Sequence, residues 1–111
     1  MPTSYKVLGQ SQGTASTSTY TTLYTVPSNT ETIISCISVC NTSVADKQYR
    51  VALCQTTTPS LSEWIAYDTV AAANDTTFMT VALTMDSTVK YIIVSSEDNT
   101  LTFGAFGSEL S

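Results

Sequence analysis

Cys36 and Cys40 lie four residues apart in SCISVC, and Cys54 closes VALC; three thiols can serve a disulfide, a metal or a nucleophile. A structural zinc site takes four ligands from Cys, His and carboxylates, and this chain has no His and no further closely spaced cysteine pair. On a regular strand, residues four apart share a face but stand about 13 Å apart at roughly 3.3 Å per residue. A disulfide requires Cα atoms within about 7 Å, so Cys36 and Cys40 do not bridge each other. Cys54 could approach one of them from the adjacent strand, leaving an odd thiol, which suits a reducing cytoplasm. The favoured expectation is three buried free thiols packing as small hydrophobes, with no metal and no cofactor.

The carboxylates offer little more. Asp46, Asp68, Asp75, Asp86 and Asp98 fall singly in turn-forming stretches, where aspartate is ordinarily a solvated turn residue. Glu63 and Asp68 flank WIAY, and that spacing alone permits a glycosidase pair, but the other machinery of such a site is missing. Without His there is no Ser-His or Cys-His nucleophile either. We expect no enzyme.

Trp64 and Tyr67, beside the loop TTTPSLS, have the right chemistry to stack on sugar rings if they form an exposed platform, which would make a glycan-binding module. The favoured alternative is that Trp64 anchors the core while Tyr67 plugs one end of the fold or an interface. The sequons at Asn41 and Asn74 matter only in an exported chain.

These side chains must be carried by strands. Hydrophobic residues make up 42% of the 111-residue chain and charged ones only 12%, while about a third is Ser or Thr. Thr, Val, Ile and Tyr favour strands, and the Glu, Lys, Gln and Arg that coat exposed helices are scarce. Period-2 alternation and turn punctuation divide the chain into eight strands: SYKVLGQ, YTTLYTV, TETIISCISVCN, QYRVALCQ, EWIAYD, TTFMTVALTM, VKYIIVSS and TLTFGAFG. The third has apolar weight on both faces and is expected to be central. The three-residue connectors DST and EDN imply antiparallel hairpins joining the sixth, seventh and eighth strands. The fold class is therefore all-β: a single antiparallel β-sandwich, jelly-roll or Ig-like, over residues 1–111, with a closed barrel as the runner-up. Residues 1–19 could instead form an extended N-terminal arm and a flexible linker.

With a net charge of -5 and only Lys6, Lys47, Arg50 and Lys90 as cations, no basic stripe exists for nucleic acid. No apolar run reaches the roughly 20 residues of a membrane span, and the N-terminal stretch has neither the basic nor the apolar region of an export signal. A hydroxyl-rich surface with few Lys gatekeepers on its strand edges suits a protein that lives in an assembly.

LGQS near the start, then TTLYTVP, SCISVCN, RVA, WIAYDT, AAND and finally FGAFGSEL together resemble a family of small tailed-bacteriophage virion proteins, common among cyanophages and marine phages. The resemblance runs in order over nearly the whole chain, and each motif consists of turn and strand residues. It implies a β-rich structural component of a virion, assembled in the host cytoplasm. Such components serve as capsid decoration or cement, or as neck, tail or fibre accessories. The implied partners are the major capsid protein or other virion proteins and further copies of the chain. The expected docking segments are the first strand, through Tyr5 and Val7, and the C-terminal strand, through Phe103 and Phe106.

Overall fold

The computed structural model describes residues 3–110, apart from the side chains at 3–5, 80–82 and 110. Eight strands follow one another: β1 (Thr3–Gln12), β2 (Thr21–Thr25), β3 (Glu31–Asn41), β4 (Lys47–Cys54), β5 (Trp64–Ala71), β6 (Thr76–Met85), β7 (Tyr91–Ser96) and β8 (Leu101–Leu110). They form two four-stranded antiparallel sheets, ordered β1-β8-β3-β6 and β2-β7-β4-β5. Of the two sandwiches expected, this is the jelly roll, whose strands alternate between sheets in two interlocked Greek keys.

The alternation of residue types decides which side of each strand turns inward. On β3, Thr32, Ile34, Ile37, Val39 and Asn41 are buried between the sheets, and the change of parity after Ile34 is a bulge in its pairing with both β6 and β8. Tyr49 and Val51 of β4, Ile92 and Val94 of β7, and Leu101, Phe103 and Ala105 of β8 complete the centre. The rings of Tyr49 and Phe103 meet edge to face across the two sheets at 6.1 Å. An edge-to-face pair of this kind adds about 0.5–1.5 kcal/mol beyond its buried area.

Several expectations are corrected. The DST and EDN connectors do not make hairpins: β6 and β8 lie in the first sheet and β7 in the second, so both connectors cross between sheets. Three residues reach about 10 Å, which is also the separation of packed sheets, so connector length cannot distinguish a hairpin from an arch. The adjacent-strand approach of Cys54 fails for the same reason. β3 and β4 belong to different sheets, with Cys36 and Cys40 half-buried on one side of the molecule and Cys54 buried on the other; all three are free. β1 does not stand off as an arm, because it pairs with β8 from Thr3 to Gln12. The linker after it is pinned as well. Thr14 donates its amide to the Ser96 hydroxyl at 2.9 Å, and the Ser95 hydroxyl donates to the Thr17 carbonyl at 2.9 Å.

Candidate functional site: an uncharged sheet face and an aromatic cluster

The outer face of the first sheet can be followed row by row from its register. One row carries Val7, Phe106 and Cys36; the next, Gln10, Gly104, Ser38 and Phe78; a third, Gln12, Thr102, Cys40 and Thr76. On the other side of the bulge, Ser108, Ile33 and Thr84 make a fourth. None of these residues is charged, although the chain as a whole carries a net charge of -5. Val7 is 53% exposed, Ile33 41% and Phe78 64%. The Phe106 ring comes close to Gly104, where a Cβ would stand 3.0 Å from its Cζ. An acidic protein thus presents one broad face without carboxylates, bounded at one end by Glu31 and Asp86, which line a recess with Ile33 and Thr84.

The docking residues expected from the sequence are divided by this geometry. Val7 and Phe106 share a row of the outer face. Phe103 is only 1% exposed and packs in the core, so it cannot dock anything. The reason is parity: three residues along a strand reverses the face, and the two phenylalanines of FGAFG point in opposite directions. Tyr5 pairs with Ser108 through its backbone, and its side chain lies outside the described residues. β6, which ends this sheet, pairs only with β3 and has no charged residue and no proline in TTFMTVALTM. β6 has none of the lysine, proline or short length that often blunt an edge strand, although its register with β3 shifts between Leu83 and Thr80 and interrupts the edge there.

The opposite surface, the outer face of the second sheet, holds the aromatic residues. Trp64 faces Ala52 and, beyond it, Ile93, so it does not anchor the core between the sheets as expected. It forms with Tyr91 a partial roof over a small separate cluster of Ala52, Cys54 and Ile93. Tyr67 is 52% exposed, its ring 5.1 Å from that of Trp64 at 73°, and Tyr20 lies 6.1 Å from Trp64 at 51°. The Arg50 guanidinium sits 4.0 Å from the centre of the Tyr67 ring and 5.8 Å from that of Trp64. Its Nε and Nη2 donate to the two Asp68 oxygens at 2.7 and 3.3 Å, and Nη1 donates to the Thr17 carbonyl at 3.3 Å.

The WIAYDT segment creates this arrangement through a bulge. Ala66 pairs with Val51 and Thr69 with Tyr49, leaving Tyr67 and Asp68 opposite Arg50 alone. Asp68 takes a left-handed backbone, φ 51°, so it bends the strand without ending it, contrary to the turn expected there. Asn29 and Asn74, in the PSN and AAND turns, take the same conformation; Asn and Asp tolerate it better than other non-glycine residues.

Glu63 does not pair with Asp68. Its carboxylate accepts the amides of Gln55 and Ser60, both at 2.9 Å, and these two bonds hold its pKa below the usual carboxylate range. It closes the loop before Trp64 and is not poised as a catalytic acid. Among the described residues no group of three His, Cys, Asp or Glu side chains could hold a metal, and no helix is long and apolar enough to cross a membrane. Arg50 and Tyr20 were missed in the sequence; the arginine that is the one charged residue of the expected strand QYRVALCQ was the available signal.

No protein-family profile matches the chain, and no curated protein matches it. Among solved structures the chain is similar to the structure of infectious bursal disease virus Gx strain, at 16% identity and a TM-score of 0.47, covering 97% of this chain and 31% of that one. It is likewise similar to the structure of the Gt strain of that virus, at 9% identity and a TM-score of 0.46, covering 96% of this chain and 31% of the other. The chain thus spans about a third of the length of each viral chain it matches. Both likenesses are too distant to carry a function.

Proposed function

We propose that this is a structural, non-enzymatic virion protein of a tailed bacteriophage, decorating or cementing the head by binding neighbouring major capsid subunits and further copies of itself. The observation that carries the reading is the uncharged outer face of the first sheet. Two acidic surfaces repel, and the surface on which this chain can approach another acidic protein, or itself, without opposing carboxylates is the face holding Val7, Ile33 and Phe78. The bare β6 edge beside it offers main-chain hydrogen bonds for strand addition. The jelly roll is compatible with this role, but capsid, lectin and cupin domains all use it, so the fold alone chooses none of them. The resemblance of LYTVP, WIAYDT and FGAFGSEL to small phage virion proteins supports the same reading.

Quantitative mass spectrometry of purified particles, scaling this chain against the major capsid protein, tests it. A ratio near one per capsid subunit, or one per capsomer, is expected for a cement protein. A few copies per particle would move it to the neck, tail or a fibre, and absence from the particle would overturn the reading.

A further inference from the structure

In the cluster on the outer face of the second sheet, Trp64 roofs Ala52, Cys54 and Ile93, while Tyr67 and Tyr20 stand at its exposed side. The core between the sheets is complete without it, yet the chain's single tryptophan and two tyrosines are held part-exposed there. The bulge that turns Tyr67 and Asp68 towards Arg50 places Asp68 in the left-handed region, φ 51°, a conformation uncommon inside a strand. Bulges and such residues collect at sites where side chains are re-aimed for binding.

The chemistry of the cluster narrows what it can bind. Tyr67 meets Trp64 edge to face at 73° and Tyr20 is tilted to it at 51°, so neither pair is stacked in parallel and each contact occupies at most one ring face. Arg50 and Asp68 neutralise each other through two hydrogen bonds, leaving no net charge for a phosphate or a metal ion. The guanidinium already occupies one face of Tyr67, so a ligand cation entering an aromatic cage here would meet a like charge. Remaining are aromatic faces, a carboxylate that is 37% exposed and able to accept further hydrogen bonds, and the two guanidinium N–H groups not given to Asp68 or Thr17. An apolar C–H face bordered by hydroxyls that both donate and accept is the complement of this set.

We propose that Tyr20, Trp64, Tyr67, Arg50 and Asp68 form a carbohydrate site that takes a neutral hexopyranose unit. The C–H face of the sugar stacks on the aromatic rings. Adjacent hydroxyls donate to Asp68 and accept from Arg50. This site lies on the opposite side of the sandwich from the assembly face and does not depend on the virion reading.

Trp64 is the only tryptophan, so its indole N–H is a single reporter in a proton–nitrogen NMR spectrum. The full chain would be titrated at millimolar ligand with the methyl glycosides of glucose, galactose and mannose and with N-acetylglucosamine, and with choline as a cationic counter-probe. A saturable shift with at least one sugar is expected, weakened about tenfold or more in Tyr67→Ala and in Asp68→Asn and unchanged in Phe78→Ser on the far face. Tyr20→Ala, whose residue lies outside the strands, gives the same loss without touching the bulge. The proposal is overturned if no sugar moves the indole, if choline alone does, or if folded Tyr67→Ala and Tyr20→Ala bind as tightly as the parent.

Discussion

The Tyr24 hydroxyl, on β2 of the second sheet, donates to the carboxylate of Glu109, on β8 of the first. The same carboxylate receives Lys6 from β1 at 2.7 Å, and the Tyr24 oxygen lies 2.8 Å from the Thr32 hydroxyl of β3. Strands from both sheets are thus tied at one point near the end of the sandwich. Burial, with Glu109 adding to it, pushes the Tyr24 phenol up to about 12, while Lys6 and then Tyr24 hold the Glu109 carboxyl below its usual range.

The pH dependence of stability follows from these directions. Glu109 has a depressed folded pKa, so its contribution is present above the unfolded value of about 4.3 and is lost as pH falls through the folded one. Tyr24 has a raised folded pKa, so its contribution is complete below its ordinary 10.0 and is lost as pH rises towards about 12. Tyr24→Phe should cost about 1–2 kcal/mol at neutral pH and flatten the alkaline limb. Urea midpoints measured from acid to strongly alkaline pH check this, and an unchanged alkaline limb in the variant would refute the assignment.

Two glycines are fixed by close approach to other strands. A Cβ on Gly107 would collide with the Ile33 carbonyl oxygen, and one on Gly9 with the carbonyl oxygen of Leu23. Both obstacles are backbone, which moves only with its ladder. At Gly104 the nearest atoms belong to the Ser38 hydroxyl and the Phe106 ring, side chains that can swing aside. Gly107→Ala and Gly9→Ala should therefore each cost about 2 kcal/mol or more, as overpacking does, and Gly104→Ala clearly less. Equal urea midpoints for the three would contradict the close-approach explanation.

Phe78 and Ile33 stand on the outer face of the first sheet, Phe78 64% exposed on the edge strand and Ile33 41% exposed on the central one. Replacing the more exposed Phe78 by Asp should change folding stability by no more than about 0.5 kcal/mol, as for exposed positions generally. It places a carboxylate on the uncharged face proposed as the contact. Loss of particle binding in co-sedimentation, with an unaltered melting curve, is the expected result; retained binding would show that this face is not the contact.

Much of this was legible in the sequence, and the limits have physical causes. The strands were readable because turn residues punctuate an alternating pattern; even the two-sided character of β3 was visible in IISCISVC. What alternation does not encode is which sheet a strand joins, so DST and EDN looked like hairpins, and Cys54 looked like a neighbour of Cys36. Bulges were also invisible. The shift after Ile34 reverses the faces of the chain beyond it, and the one at Tyr67 and Asp68 turns a strand-ending motif into the wall of the aromatic cluster. Trp64 was expected in the core because large apolar residues usually are; its placement outside depends on Ala52 and Ile93 forming a second apolar floor.

The thiols offer a probe of both faces in a single experiment. Cys54 is fully buried under the aromatic roof, and burial, with Glu63 adding to it, pushes its thiol up to about 12, so a maleimide should reach it only when the structure opens. Cys36 and Cys40 are half-buried on the outer face of the first sheet, in rows with Phe106 and Thr102. In the free chain these two should label well before Cys54, read as successive mass increments in timed quenches. If that face is the one that docks, both should become protected on the particle while remaining reactive in the chain released from it. Labelling of Cys36 and Cys40 at the same rate in both states would leave the face open to solvent in the assembly, and the contact would then have to lie along the β6 edge or on the second sheet.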